Sequence, residues 1–334
     1  MANGLVTLIG GSGFIGRYAA RALVNAGWRV RVACRRPNVA QDVRVAGPPG
    51  WVDLIQANVR NTESLERAME GSDAVVNLVG ILFESGKQTF SSTQADGAKT
   101  VARVARDMGI KRFVQMSAIG ADPEGRAAYA RTKAAGEAAA RDAVPGAVIL
   151  RPSIVFGPED QFFNRFAELA RFAPALPAIG GGKTRFQPVY AGDVADAIVG
   201  AVEREDATGK TYELGGPRIY TFNALYDFIF ETIDRKRFKA PLPFFMAKPA
   251  GLGLGGIWRI PFLPLHTVFG PPPITGGQVD MLRTDNVVAE GALGLPDLGV
   301  TELESVESIV PTYLWRFRPY GEFHQSEAPP NDAN

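Results

Sequence analysis

Three residues in the middle of the chain have types and spacing suited to proton transfer. Tyr129 and Lys133 are four residues apart in a segment with helical character, so both side chains lie on one helix face. A lysine ammonium beside a phenol stabilises the phenolate, and we expect it to lower the tyrosine pKa toward working pH. Ser117 ends the preceding apolar run, where it would hydrogen-bond the same substrate oxygen. The trio predicts acid–base catalysis; the alternative is a helix-surface pair plus a capping serine.

A glycine-rich stretch at the N-terminus predicts a cofactor for this chemistry. It follows the apolar run 5–9 and precedes a helical segment from Arg17 to Ala26, which Gly27 closes. In that context glycines let the backbone approach a pyrophosphate, and the helix N-terminus offers free N–H groups to it. The alternative is a glycine-rich turn without a ligand. The predicted dinucleotide contacts in this stretch are Gly10, Ser12, Gly13, Phe14, Ile15 and Gly16.

The residues after the second predicted strand indicate which dinucleotide is bound. NAD-specific sites place an acid there, but in this chain Cys34 is followed by Arg35 and Arg36. Two guanidinium groups, with the Ser12 hydroxyl, suit a ribose 2′-phosphate and predict NADP(H). The alternative is a pair of solvated charges at a strand end. Asn58, after the third strand, is predicted to contact the adenine.

Alternating strands and helices position these residues. Strands are predicted at 5–9, 29–34, 51–57, 73–80, 111–117 and 147–150, and helices at 17–26, 62–70, 93–108 and 127–142. Asn61 or Thr62 caps the second of these helices. Alternation at this pitch indicates βαβ units. We therefore predict an α/β fold: a doubly wound, parallel Rossmann sheet with a smaller, irregular C-terminal region.

The pattern is less regular after residue 151. Helices are predicted at 162–172, 191–202, 222–233 and 303–315, with a glycine loop at 180–182. Prolines and glycines over 241–273 exclude a long regular element there. We predict a nucleotide-binding domain over residues 1–240 and a C-terminal extension over 241–334, with a disordered tail from about 326.

Composition describes a soluble globular protein. The chain has 334 residues, of which 46% are hydrophobic and 21% charged, and its net charge of +1 gives no reason to expect nucleic-acid binding. The single cysteine, Cys34, excludes an intrachain disulfide and fits a reducing compartment. His266 and His324 lack the spacing of a metal site, so we expect no metal. No signal or transit peptide is visible, which suggests a bacterial cytoplasmic protein or a processed one.

Residues 235–279 contain no Asp or Glu, whereas cations and aromatic residues alternate along them. Prolines, together with Lys248 and Arg259, exclude a transmembrane helix. Basic residues with aromatics suit an anionic membrane surface or a docking surface on a larger assembly. The alternatives are an ordinary core with solvated charges and a basic pocket for an anionic substrate. The aromatic residues are Phe238, Phe244, Phe245, Trp258 and Phe262.

The motifs together resemble the short-chain dehydrogenase/reductase superfamily, in its extended or atypical branch, over roughly the first two hundred residues. The resemblance rests on the glycine stretch, on Asn77-Leu78-Val79-Gly80, and on Ser117 with the segment from Tyr129 to Lys133. It implies that the trio occupies catalytic positions. It also implies that Val79, Gly80, Tyr129 and Lys133 contact the cofactor.

A narrower resemblance covers nearly the whole chain. Residues 151–164, 187–194 and 241–244 resemble the nucleotide-binding accessory subunit of respiratory complex I. This implies complex I subunits as partners, and NADPH held as a structural ligand with no established turnover. It also implies a cytoplasmic protein, or one peripheral on the cytoplasmic or matrix face of the inner membrane. We predict this role. The alternatives are an active NADPH-dependent reductase, epimerase or dehydratase, and a peripheral membrane protein of quinone or lipid metabolism.

Overall fold

The computed structural model describes residues 3–248 and 275–321. Its strands are, in chain order, Leu5–Ile9 (β1), Arg29–Cys34 (β2), Val52–Gln56 (β3), Ala74–Asn77 (β4), Arg112–Met116 (β5), Val148–Pro152 (β6), Val155–Phe156 (β7), Ala175–Ile179 (β8), Arg185–Phe186 (β9), Val189–Tyr190 (β10), Thr211–Leu214 (β11), Tyr220–Thr221 (β12) and Phe238–Leu242 (β13). Its α-helices are Phe14–Asn25 (α1), Thr62–Met69 (α2), Asp96–Asp107 (α3), Ala128–Ala143 (α4), Phe163–Phe172 (α5), Ala191–Glu203 (α6), Phe222–Thr232 (α7), Gly276–Met281 (α8), Val306–Ile309 (α9) and Pro311–Leu314 (α10).

Seven of these strands form one parallel sheet in the order β11-β6-β5-β4-β1-β2-β3. Helices cover both of its faces, because adjacent residues of each strand point in opposite directions. On β4, Val76 packs into the core that contains Leu23 of α1, whereas Val75 packs into the core that contains Val101 of α3. The predicted α/β, doubly wound Rossmann fold is therefore confirmed.

Besides the core on the two faces of the sheet, a separate core lies beside it, which we call the second core. Phe163 of α5, Tyr226 of α7 and Tyr313 of α10 pack in it, and short ladders join β7 to β10, β9 to β12 and β8 to β13. The Tyr313 hydroxyl donates to the buried Asp160 carboxylate, which ties the C-terminal segment to the start of α5. Segments from both sides of position 240 thus share this core, and the domain division there stays a prediction.

Several predicted helix ends are confirmed by their caps. Gly27 has φ +89 after α1, and the Asn61 side chain accepts the Ser64 N–H at 2.8 Å to start α2. Helix α1 begins at Phe14, earlier than the predicted Arg17, because the helix starts directly from the glycine turn. Helix α3 begins at Asp96, not at 93, since a π-type turn precedes it.

The single C-terminal helix predicted over 303–315 is wrong. The chain instead forms α9 and α10, followed by a one-turn helix at 315–317. The Ser305 side chain caps α9 and so sets its start, and Pro311 lacks the N–H that a continuous helix would use. The predictions for the stretch from 249 to 273 and for the tail from 326 lie outside the described residues, as do both histidines. Within the described ranges, no helix is both long and apolar enough to cross a membrane.

Asp193, near the start of α6, makes the folded state sensitive to pH. Burial raises its pKa from 3.8 to about 7, and the nearby charges of Glu304 and Asp196 add to this effect. Its carboxylate accepts the Glu304 N–H at 3.1 Å. The folded state binds the Asp193 proton more tightly than the unfolded state does. Protonation of Asp193 therefore contributes fully to the free energy of unfolding below about pH 4, and this contribution is lost as the pH rises toward 7.

We expect Asp193→Asn to remove this pH dependence while keeping an oxygen that can accept the Glu304 N–H. The melting temperature of the variant should exceed that of the wild type by roughly 2–4 °C at pH 8. At pH 5 the difference should vanish or reverse. Thermal unfolding of both proteins between pH 5 and 8 measures it, and parallel curves for the two would show that Asp193 does not titrate in this range.

Candidate functional site

The glycine turn after β1 has the backbone geometry of an anion-binding loop. Gly10 has φ +82, a conformation that other residues rarely adopt, and Gly13 caps α1 without a side chain. A Cβ on Gly16 would lie 2.4 Å from the Gly11 carbonyl oxygen, so glycine is needed for the close approach of turn and helix. The first N–H groups of α1 have no acceptor within the helix, so a phosphate beside the turn can accept hydrogen bonds from them.

One cavity of about 700 Å³ opens beside this turn. It collects the predicted residues from the carboxyl ends of the sheet strands, where ligands bind in such folds. Arg36 is the exception, because it is exposed and does not line the cavity. The predicted residues that do line it are Gly10, Ser12, Gly13, Phe14, Ile15, Gly16, Arg35, Asn58, Val79, Gly80, Ser117, Tyr129 and Lys133.

The charges around the cavity favour an anionic ligand. Arg35, Arg60, Lys133 and Arg165 line it, and no Asp or Glu does so among the described residues. Arg35 has no ion-pair partner among those residues. The Asp42 carboxylate, eight positions after Cys34, is paired instead with Arg17 of α1. The end of β2 thus presents a cation where a ribose-binding acid would otherwise stand.

Tyr129 and Lys133 lie on one face of α4, as their spacing predicted. The Lys133 ammonium is 5.9 Å from the centre of the Tyr129 ring and donates to the Met116 carbonyl oxygen at 3.1 Å. Burial lowers the pKa of Lys133 to about 8, against the opposing charge of Glu137, and raises the pKa of Tyr129 to about 12. The expectation of a lowered tyrosine pKa is therefore wrong, because burial of Tyr129 disfavours the charged phenolate.

The Ser117 hydroxyl faces a buried carboxylate. It donates to Oε1 of Glu137 at 2.5 Å, and both residues are almost fully buried. Arg151 holds the same carboxylate with two bonds, Nε to Oε1 at 2.9 Å and Nη2 to Oε2 at 2.8 Å. Arg151 of β6, Glu137 of α4 and Ser117 at the end of β5 thus form one hydrogen-bond network. The Ser117 hydroxyl proton is donated within this network.

Comparison with known proteins agrees with this geometry. The residue pattern of the NAD dependent epimerase/dehydratase family matches residues 6–215. A protein of Arabidopsis thaliana, named NADH dehydrogenase (ubiquinone) 1 alpha subcomplex subunit 9, mitochondrial, is 34% identical over 302 residues, which span 89% of this chain and 74% of that protein. The chain belongs to this epimerase/dehydratase family, in the branch of alpha subcomplex subunit 9.

Two further proteins show how the family varies. The ceramide reductase of Caulobacter vibrioides is 32% identical over 202 residues, which span 59% of this chain and 61% of that enzyme. The structure of UDP-glucuronic acid 4-epimerase from Bacillus cereus, with UDP-glucuronic acid and NAD, superposes with a TM-score of 0.63 at 17% identity, covering 93% of this chain and 98% of the epimerase. The latter likeness shows the shared fold.

Sequence reasoning missed several residues that this family member brings to the site. Glu137 is four positions beyond Lys133 and is the buried acid of an alanine-rich helix, so the helical spacing contained the signal. Arg60 and Arg165 also line the cavity, but no local pattern marks them. Among the described residues, no group of three or more His, Cys, Asp or Glu side chains could hold a metal ion.

The two glycines of the turn are expected to respond differently to substitution. Gly16→Ala should destabilise the protein by about 1–3 kcal/mol, since its Cβ would overlap backbone atoms of Gly11. Gly13→Ala should leave the melting temperature unchanged, because the Cβ would be 3.4 Å from the nearest atom, but its methyl group would enter the cavity and weaken dinucleotide binding. Thermal unfolding and titration with a nicotinamide dinucleotide separate these effects. Equal stability losses in both variants would contradict this assignment.

Proposed function

We propose that this chain is an accessory subunit of respiratory complex I and that it holds NADPH chiefly as a structural ligand. The observation that carries the proposal is its 34% identity, over 89% of its length, to a subunit that bears the name of NADH dehydrogenase (ubiquinone). Identity at this level along nearly the whole chain includes the segments outside the Rossmann sheet. Similarity that extends beyond the sheet supports a role shared with that subunit, rather than a shared fold alone.

The residues of the cavity fit NADPH. The glycine turn and the free N–H groups of α1 suit the pyrophosphate, and Arg35 suits the 2′-phosphate at the end of β2. Asn58 also lines the cavity, and its side-chain amide suits a contact with the adenine. When bound, NADPH would supply a hydride donor. Lys133 would bind the nicotinamide ribose end, where its ammonium lies close to Gly80.

A structural role for the cofactor agrees with the state of the catalytic positions. The Ser117 hydroxyl donates its proton to Glu137, so a substrate oxygen would have to compete with a buried carboxylate for it. The bound dinucleotide would instead join the ends of β1, β2, β4 and β5 and stabilise the fold by mass action.

Affinity purification from gently solubilised membranes tests the accessory role. We expect the tagged chain to recover respiratory subunits, and we expect Gly13→Ala, which enters the cavity without altering the fold, to recover fewer of them. Arg44→Ala, an exposed charge outside the cavity, serves as the matched control. Recovery of the wild-type chain by itself would overturn the proposal.

Exposed aromatic residues offer a surface for this assembly. Phe172, Phe238 and Phe245 are 78%, 67% and 75% exposed, and Phe238 is paired in register with Ala175, close to Phe172 in the chain. Aromatic anchors of this kind are typical of protein interfaces. We propose that this surface meets complex I subunits, at the cytoplasmic or matrix face of the inner membrane. Contact with the membrane surface is the alternative for residues 235–279.

The second candidate function is an active NADPH-dependent reductase, epimerase or dehydratase. It is favoured by the presence of Tyr129 and Lys133 together in the cavity, and by the likeness to a ceramide reductase. In that case Tyr129→Phe should abolish NADPH oxidation, followed by absorbance, when a pool of carbonyl substrates is added. Retained oxidation in the variant would exclude Tyr129 as the proton donor. Binding of NADPH by both proteins is the control, since the tyrosine hydroxyl donates no hydrogen bond among the described residues.

A further inference from the structure

The same cavity is lined not only by the strand ends of the sheet but also by residues from α5, β9, α7 and α8. We name this part of the cavity the distal chamber. Helices α5 and α7 and strand β9 belong to the second core, so most of the chamber is formed by segments outside the parallel sheet. Its apolar lining is Phe162, Phe166, Phe186, Phe222 and Met281, and its polar lining includes Arg165, Gln161 and Gln278.

Four phenylalanine rings make one wall of the distal chamber. Phe162 lies 5.0 Å from Phe166 and 6.0 Å from Phe222, and Phe186 lies 5.9 Å from Phe222, measured between ring centres. Their edge-to-face and tilted contacts fix the rings in place, and Tyr226 supports Phe222 from behind at 4.5 Å. Phenylalanine rings offer no hydrogen bonds to sugar hydroxyls. The wall therefore suits an alkyl chain or a flat apolar ring.

Arg165 adds a positive charge to this apolar chamber. Its guanidinium carries five N–H donors in a planar fork, so it can hold an acidic group of a ligand in addition to its protein contacts. Burial lowers the pKa of Arg165, and the charge of Glu168 on the same helix opposes this. Glu168 is exposed and does not line the cavity, so no carboxylate of the described lining faces Arg165 in the chamber. An anion inside it would recover part of the solvation that Arg165 has lost.

We propose that the distal chamber binds an amphipathic anion, with its apolar body against the four rings and its carboxylate or phosphate at Arg165. The described lining contains four cations and no carboxylate; Arg35 directly follows β2, whereas Arg165 lies on α5. An anion at Arg165 therefore uses a different cation from the 2′-phosphate proposed for Arg35. This site exists whether NADPH is turned over or held as a structural ligand.

The test uses the full chain saturated with NADPH and three probes that share a ten-carbon chain. Decanoate and decyl phosphate carry an acidic group, whereas decanol does not, and calorimetry measures each affinity. We expect at least one anion to bind about tenfold or more tightly than decanol, in keeping with a charge-assisted contact. The tighter of the two anions identifies the head group. Equal affinities for decanol and both anions, or no binding of any probe, would overturn the proposal.

Variants locate the site. Arg165→Met should remove the preference for the anions and leave decanol binding unchanged. Met281→Trp, at a partly exposed position, should narrow the chamber and weaken all three probes about tenfold. Arg171→Met, an exposed arginine on the same helix, is the control and should behave as the wild type. An unchanged anion preference in Arg165→Met would contradict the assignment. If NADPH raises the melting temperature of a variant as much as that of the wild type, the variant is folded. If NADPH does not raise the melting temperature of the wild type, this counts against the proposed cofactor alone.

Discussion

Replacing Glu137 by alanine is expected to lower the free energy of unfolding by about 3 kcal/mol, since it leaves a partly buried guanidinium without its bidentate partner. Arg151 donates two hydrogen bonds to this carboxylate and is only 25% exposed. Its second acidic neighbour, Glu213, is 3.6 Å away and would compensate in part. Ser117 would lose its acceptor as well. Urea unfolding, followed by circular dichroism, measures the change.

Two variants control this prediction. Glu137→Gln removes the charge but keeps an oxygen that accepts from Ser117. It should therefore lower the free energy of unfolding less than Glu137→Ala does. Arg141→Ala removes an exposed cation that is 3.9 Å from the same carboxylate, and it should change stability by less than about 0.5–1 kcal/mol. If Glu137→Ala lowers the free energy of unfolding no more than Arg141→Ala does, the hydrogen-bond network from Ser117 to Arg151 does not hold the sheet and α4 together.

Local patterns predicted the nucleotide half of the molecule well. Buried parallel strands are short apolar runs, and Gly10, Gly16 and Gly27 mark positions where the backbone geometry requires glycine. Each strand end is therefore visible in the sequence. The parallel sheet brings those ends to one edge, so residues as distant as Gly13, Arg35, Val79 and Ser117 could be assigned to one site without any contact being known.

The other features depend on contacts between distant segments. Spacing placed Lys133 beside Tyr129, but the direction of the tyrosine pKa depends on burial, which the helix alone does not determine. The bond of Ser117 to Glu137 links two elements, and α10 takes its place through the contact of Tyr313 with Asp160, 153 residues earlier. The distal chamber is likewise assembled from separate short elements, so periodicity within any one of them could not predict it.

Arg35→Ala is expected to weaken NADPH binding by about 10–100-fold and to leave NADH binding nearly unchanged, because a charge-assisted contact to phosphate contributes roughly 1.5–3 kcal/mol. Arg35 lines the cavity directly after β2, whereas Arg36 is exposed and does not line it, so Arg36→Ala should change the NADPH affinity less than threefold. The double variant should then match Arg35→Ala. Fluorescence titration of the nicotinamide in both reduced cofactors provides the affinities, at one fixed ionic strength because exposed charges are screened by salt. Equal affinity of the wild type for NADH and NADPH, or an equal loss in the two single variants, would contradict the assignment of Arg35 to the 2′-phosphate.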